Sequence, residues 1–279
     1  MKKILICLFT ISNISAFAQT KKNCCSISST EKFAALASNE KFAASHPDPL
    51  PFNFTPMKGE MITFQSPDGK KANAFLVKAN KPTNNWVIMI HEWWGLNSYI
   101  QEQAEKLYNE IGIVNVLAID LYDGQVATTK EQAQKFSGEL KDARADSIIK
   151  GAISLAGPRA KIFTIGWCMG GGWSLQASLM AGKQATGCVM YYGMPETNLN
   201  KLKNLHADVL GLFAKKDDYI KPKIVDQFEK DMKLVKKNLT IKSYDAVHAF
   251  ANPSNPKYDQ VAGEDAHQAV LSFFKSRMN

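Results

Sequence analysis

Residues 162–172 of this 279-residue chain read IFTIGWCMGGG. An apolar run typical of a buried strand passes directly into the pattern Gly-x-Cys-x-Gly, and helix-forming residues follow. This order is typical of a nucleophile elbow, with cysteine in place of the usual serine, because the residues two positions before and after a nucleophile on so tight a turn must be small. The glycine spacing does not match the dinucleotide-binding pattern G-x-G-x-x-G. The stretch predicts that Cys168 is a nucleophile at a helix N-terminus, where backbone N–H groups favour a thiolate and an oxyanion.

Strands and helices alternate on both sides of this stretch. The predicted strands are residues 61–65, 72–78, 86–91, 114–121, 161–167, 187–192, 209–214 and 239–244. The predicted helices are residues 100–111, 130–140, 146–156, 173–181, 223–235 and 262–277. The turn signal Ser-Pro-Asp-Gly at residues 66–69 joins the first two strands as a hairpin. The sequence therefore predicts an α/β fold with a mainly parallel central sheet and helices on both faces, and chemistry at the carboxyl ends of the strands.

A cysteine nucleophile needs a base, and the base needs a carboxylate that orients it. Four of the five histidines stand in a leader, before a strand, inside the last helix, or ahead of the cysteine: His46, His206, His267 and His91. The fifth, His248, follows the last strand and fits the chain order nucleophile, acid, histidine. The acid is expected after the preceding strand, where Asp217 is the first choice and Asp218 the alternate.

The segment His91-Glu92-Trp93-Trp94-Gly95 closes the third strand. It is not a zinc motif of the H-E-x-x-H type, because glycine occupies the position of the second histidine. We expect Glu92 to lie beside the thiol, and the backbone N–H of Trp93 to form an oxyanion hole with that of Met169. A surface position for Glu92 is the alternative.

These motifs together resemble the dienelactone hydrolase family of the α/β-hydrolase superfamily, over about residues 58–279. The resemblance rests on residues 91–97, 120–122, 166–171, 217 and 248–250. It implies a Cys168-His248-Asp217 triad, in which Glu92 hydrogen-bonds the resting thiol and takes its proton when substrate enters. The thiolate then attacks an ester or lactone carbonyl, and water hydrolyses the acyl-enzyme with His248 as base, without metal or organic cofactor. The two arginines with which the family holds a substrate carboxylate align with Gly124 and Asn252 here.

The N-terminus has the layout of a secretory signal peptide, with two lysines, a short apolar run and Ala16-Phe17-Ala18 as cleavage signal. We expect residues 1–18 to be removed and the protein to be exported to the periplasm or medium. Residues 19–57 are interpreted as a leader, with weak helical turns in the near-repeat at residues 31–35 and 40–44 and extended chain at its four prolines. The adjacent Cys24 and Cys25 are either idle or form an intermolecular bridge. The domain proper is expected at 58–279.

The composition narrows the function classes. A hydrophobic fraction of 45% excludes disorder for most of the chain. The formal charge of +8 is scattered over lysines without a basic, aromatic-interleaved stripe, so no nucleic-acid partner is expected. No apolar window is long enough for an integral membrane span. The sequence favours a hydrolase acting on a small ester or lactone, and the alternative is a non-catalytic binding protein on a hydrolase scaffold.

Overall fold

The central feature of the computed structural model, which describes residues 29–278, is one eight-stranded sheet. Its strands in chain order are β1 (Glu60–Gln65), β2 (Lys71–Val77), β3 (Asn85–Ile90), β4 (Asn115–Ile119), β5 (Lys161–Trp167), β6 (Ala185–Tyr191), β7 (Asp208–Ala214) and β8 (Leu239–Tyr244). The spatial order is β1-β2-β4-β3-β5-β6-β7-β8. Strands β1 and β2 are antiparallel to their neighbours, and every pairing from β4 to β8 is parallel.

The helices cover both faces of this sheet. They are α1 (Ser29–Ala37), α2 (Glu40–Ser45), α3 (Ser98–Ile111), α4 (Lys130–Glu139), α5 (Asp142–Ala156), α6 (Met169–Ala181), α7 (Leu199–Leu202), α8 (Pro222–Leu234) and α9 (Gln260–Met278). Strands β3, β4 and β5 are almost wholly buried, as expected of parallel strands covered on both faces. Among the described residues, no helix combines the length and the apolar character needed to cross a bilayer.

The predicted α/β fold is confirmed, and most element boundaries agree within two residues. The largest differences are the starts of α5, at Asp142 rather than at residue 146, and of α6, at Met169 rather than at Trp173, and α7 was not predicted. The cause in α6 lies at residues 170–172. Three successive glycines have low helix propensity, so the pattern favoured a later start. Close packing against the sheet accounts for them, because a Cβ at Gly170 would lie 2.3 Å from the carbonyl oxygen of Ile90. The predicted signal peptide and the Cys24-Cys25 pair lie outside the described residues.

The N-terminal helices belong to the packed core. We call α1, α2 and His46 the N-terminal cap. Phe33 and Phe42 of the cap join the same apolar cluster as the sheet, and Phe42 is fully buried. A proline-rich segment at residues 47–56, which we call the tether, leads from the cap to the sheet. At its end, Glu105 Oε1 accepts hydrogen bonds of 2.7–2.9 Å from the backbone N–H groups of residues 57–59, which fixes the chain there.

Candidate active site

The turn between β5 and α6 has the geometry of a nucleophile elbow. Cys168 adopts φ 54° and ψ −113°, a left-handed conformation that costs a non-glycine residue about 1–3 kcal/mol. Gly166 packs so closely against the first turn of the helix that an added Cβ would lie 2.1 Å from the carbonyl oxygen of Gly170. The surrounding sheet and helix therefore hold the thiol at the carboxyl end of β5, as the motif predicts.

His248 and Asp217 follow β8 and β7 and reach the same edge of the sheet. His248 Nε2 lies 3.2 Å from Cys168 Sγ, and His248 Nδ1 lies 2.7 Å from Asp217 Oδ2. The other carboxylate oxygen of Asp217 accepts two backbone N–H bonds, from Tyr219 and Ile220, at 2.8 Å each. Asp217 is buried, whereas the alternate acid Asp218 is exposed. This chain of contacts can pass a proton away from sulfur and hold the imidazole in one orientation.

The pKa values of Asp217 and Cys168 shift in opposite directions, although burial acts to raise both. Burial alone would raise the pKa of Asp217, but the charge and hydrogen bond of His248 and the two backbone amides outweigh it and lower the pKa. Burial raises the pKa of the Cys168 thiol well above its usual range, and the neighbouring Glu92 carboxylate raises it further. The backbone N–H of Met169 opposes this shift by hydrogen-bonding the sulfur. The covered site therefore favours a neutral thiol at rest, because burial outweighs the helix N-terminus on which the sequence argument relied.

Glu92 also lies at this edge, buried at the end of β3. Its Oε2 accepts a 2.9 Å hydrogen bond from Asn252 Nδ2. Burial raises the pKa of Glu92 to about 8, and the bond from Asn252 lowers it only in part. The thiol faces His248 while Glu92 is bonded to Asn252, so the structure has the thiol in an attacking rather than a Glu92-bonded position.

The two positions aligned with the family's arginines carry no positive charge in the structure. Asn252 is buried and bonds Glu92, and Gly124 donates its backbone N–H to Asp120 Oδ2. The hold on a substrate carboxylate that two arginines would give is therefore missing at both places.

The other histidines have separate roles. His91 is buried at the carboxyl end of β3. Its Nε2 accepts a hydrogen bond from the backbone N–H of Leu121, and its Nδ1 hydrogen-bonds the carbonyl oxygen of Glu92. It thereby links the ends of β3 and β4. His267 pairs with Glu110, and His206 is exposed.

The N-terminal cap contributes side chains to the site, and this was not predicted from the sequence. The ring of Phe42 packs edge-to-face on Trp93, Tyr219 and His248, at centroid distances of 5.2, 4.8 and 5.9 Å. The His46 ring lies 5.2 Å from that of His248. His46 was not predicted as a site residue because it lies in the segment interpreted as a leader. The apolar residues of the two EKFAA repeats are the signal in the sequence that one face of this segment is buried.

The space left over the thiol is very small. A cavity of about 10 Å³ touches Cys168, Tyr192 and His248 beneath Phe33 and Leu36 of the cap. Such a space holds about one water molecule, so an ester substrate does not fit while the cap is in place. The Tyr192 hydroxyl is buried without a hydrogen-bond partner in the described part of the chain, which leaves it available to a bound substrate. Sequence reasoning did not single out Tyr192.

The sheet order, the elbow after β5 and the acid and histidine after β7 and β8 define an α/β-hydrolase. The sequence profile of the dienelactone hydrolase family matches residues 72–278. The chain belongs to that family and is a hydrolase acting on ester or lactone bonds.

Relatives and solved structures agree with this assignment. A Saccharolobus solfataricus protein named "Putative carboxymethylenebutenolidase" is 30% identical over 77% of this chain and 98% of its own length. Carboxymethylenebutenolidase 1 of Cupriavidus pinatubonensis is 25% identical over 77% of this chain and 96% of its own. The solved dienelactone hydrolase of Anabaena variabilis has a TM-score of 0.57 at 19% identity, covering 80% of this chain and all of its own. A dienelactone hydrolase-like promiscuous phosphotriesterase from metagenomic libraries has a TM-score of 0.67 at 20% identity, covering 80% and 100%. At these identities the two solved structures support the fold alone.

Proposed function

We propose that this chain is an exported hydrolase that cleaves a carboxylic ester or lactone through Cys168, His248 and Asp217 and an acyl-enzyme intermediate. The observation that carries the proposal is the continuous set of contacts from Sγ to Nε2 at 3.2 Å and from Nδ1 to Oδ2 at 2.7 Å. Export rests on the signal-peptide layout of residues 1–18.

In the proposed reaction, the thiol proton passes to Glu92 and leaves a thiolate beside His248. The ionised form of Glu92, a minor fraction at neutral pH because burial raises its pKa to about 8, accepts this proton, and its neutralisation removes the charge that raises the thiol pKa. Sγ then bonds to the substrate carbonyl carbon, and the backbone N–H groups of Met169 and Trp93 stabilise the oxyanion.

Collapse of that intermediate breaks the ester C–O bond, and the alkoxide leaves with the proton that Glu92 took from the thiol. His248 next takes a proton from water, whose oxygen attacks the thioester, and Asp217 stabilises the imidazolium that forms. The C–S bond breaks, the carboxylic acid is released, and the proton on His248 returns to the Cys168 thiolate. No step draws on a metal or an organic cofactor.

The absence of arginine at Gly124 and Asn252, together with apolar cavity walls, favours an uncharged acyl group. On the domain side, which remains when the cap opens, Met194 and Ile220 form the apolar part of that wall. We therefore propose small neutral esters and lactones as the substrate class, rather than anionic lactones.

The test is hydrolysis of p-nitrophenyl acetate, p-nitrophenyl butyrate and a neutral butyrolactone by the chain from Gln19 onward. Cys168→Ala is expected to lose the activity, and mass spectrometry of the quenched wild-type protein is expected to show an acyl adduct on Cys168. The matched control is Cys188→Ala, since Cys188 is buried away from the triad beside Ser174 and should be dispensable for chemistry. Equal rates for wild type and Cys168→Ala would refute the triad and favour a binding protein.

A further inference from the structure

One ring nitrogen of His46, one of His248 and the sulfur of Cys168 converge at the catalytic site. These three atoms lie within 4.8 Å of one another, and all three residues are buried. Among the histidine, cysteine and acidic side chains within residues 29–278, these three residues are the group whose ligand atoms lie close enough together to hold a metal ion. Two ligands come from the domain and the third from the N-terminal cap.

The orientation of His46 is fixed by its other nitrogen. His46 Nδ1 lies 2.7 Å from the carbonyl oxygen of Phe42, which can only accept a hydrogen bond. Nδ1 therefore carries the hydrogen, and Nε2 of the neutral ring presents a lone pair. His46 is 3% exposed, and its Nε2 has no hydrogen-bond partner in the part of the chain that the structure describes. A buried lone pair of this kind is unusual and calls for an occupant.

His248 is held in the same manner. Its Nδ1 bonds Asp217 Oδ2, and its Nε2 faces the sulfur at 3.2 Å. In metal centres, a ligating histidine nearly always donates its second ring N–H to a carboxylate or a backbone carbonyl. His248 uses the carboxylate and His46 uses the carbonyl, so both supporting bonds are already in place.

We propose that His46, Cys168 and His248 form a binding site for one Zn²⁺ ion, which blocks the hydrolase while it is bound. A thiolate with two imidazoles suits Zn²⁺, and a fourth position remains for water. Zn–S and Zn–N bonds of ordinary length at tetrahedral angles place the ligand atoms roughly 3.3–3.6 Å apart, so the observed cluster needs only small side-chain shifts. Binding forms one Zn–S and two Zn–N bonds and releases the thiol proton to solvent.

Two consequences follow for the protein. The metal occupies both the sulfur and the His248 lone pair, so no nucleophile and no base remain for ester hydrolysis. Because His46 belongs to the cap, the ion also joins the cap to the domain. The block of hydrolysis rests on the proposed function, whereas metal binding does not.

The test measures Zn²⁺ binding directly, by competition with a chromophoric chelator. The chain from Gln19 carries Cys24→Ser and Cys25→Ser, so that this pair cannot bind metal. We expect one Zn²⁺ per chain, and an affinity at least about 10-fold weaker in His46→Gln and in Cys168→Ala. Cys188→Ser and His267→Gln are the matched controls and should bind as the parent does. Circular dichroism confirms that each variant is folded.

Two further readouts separate this proposal from the hydrolase proposal. Co²⁺ in place of Zn²⁺ should give a thiolate-to-metal charge-transfer band that disappears in Cys168→Ala. Zn²⁺ should inhibit ester hydrolysis at the concentrations at which it binds, and inhibition of His46→Gln, relative to its own metal-free rate, should need at least about 10-fold more. Substoichiometric binding, or equal affinity in folded His46→Gln, overturns the site. Stoichiometric, His46-dependent binding by a chain that hydrolyses no ester supports the site and refutes the hydrolase proposal alone.

Discussion

Replacement of Phe42 by alanine should open the catalytic site. Phe42 is fully buried, and five ring neighbours, including Phe33 and His46, lie within 5.9 Å of its centroid. Truncation of a buried phenylalanine costs about 3–5 kcal/mol when the surroundings cannot collapse. The cap is a peripheral pair of short helices, so this cost falls mainly on the cap-closed state rather than on the whole fold.

The expected effect on catalysis follows from that cost. If half of this cost, about 2 kcal/mol, is lost from the free-energy difference that favours the closed over the open cap, the open population rises roughly 30-fold, because each 1.4 kcal/mol is a factor of ten. A substrate that binds only the open state then shows an apparent affinity that improves by the same factor, until the open state predominates. We therefore expect kcat/KM for p-nitrophenyl butyrate to rise about 10–30-fold, mainly through KM.

The assay compares initial rates of wild type, Phe42→Ala and Phe52→Ala. Phe52 is the matched control because it lies in the tether and packs on Tyr99, at 4.7 Å between ring centroids, instead of covering the thiol. Its truncation should leave kcat/KM within about threefold, as expected of a partly exposed surface site. An unchanged or lower kcat/KM in Phe42→Ala, at an unchanged Tm of the domain, would refute the role of the cap as a barrier.

Three further substitutions test the site and its support. Glu92→Gln cannot take the thiol proton, so acylation measured by the p-nitrophenol burst should slow roughly 10²-fold or more, and a near-wild-type burst would assign the proton to His248. Asp217→Asn should lower kcat by roughly 10²–10⁴-fold. The pKa of Asp217 is lower in the folded than in the unfolded chain, so its carboxylate stabilises the fold above the unfolded pKa of about 4, and this stabilisation is lost as the pH falls through the folded pKa. The Tm of Asp217→Asn should therefore fall less on acidification than the Tm of the wild type. Identical curves of Tm against pH would contradict this. Gly166→Ala should lower Tm, because its Cβ meets backbone at 2.1 Å, whereas Gly138→Ala, with nothing within 4 Å, should not; equal shifts would contradict the packing argument.

The sequence predicted the fold and three of the site's positions because their signals are local. Cys168 is surrounded by glycines that the elbow requires, and His248 and Asp217 directly follow apolar runs that form strands. Each of these residues reaches the site through the regular geometry of a parallel sheet, whose strand ends share one edge.

The cap could not be placed in this way. His46 is more than a hundred residues from Cys168 in the chain, and no strand or helix pattern fixes where α1 and α2 pack. Their contacts depend on side-chain complementarity between Phe42 and the rings of Trp93 and Tyr219, which has no signature in sequence spacing. The resemblance implied a neutral resting thiol, whereas the helix N-terminus alone favoured a thiolate, because the burial that raises the thiol pKa is created in part by the cap.

Glu105 anchors residues 57–59 to the domain, so the cap behaves as a ligand that is tethered to its own binding site. The tether spans ten residues and contains four prolines, so once its contacts with the domain at Leu50 and Phe52 are released it is a semi-rigid spacer of roughly 30 Å at full extension. An opened cap therefore stays near its docking surface at an effective concentration on the order of millimolar. At each turnover a substrate competes with the cap, present at that local concentration, and the cap closes again in an intramolecular step. A protease cut within the tether would convert it into a free peptide, which at micromolar protein is diluted about a thousandfold, and would turn reversible closure into lasting activation.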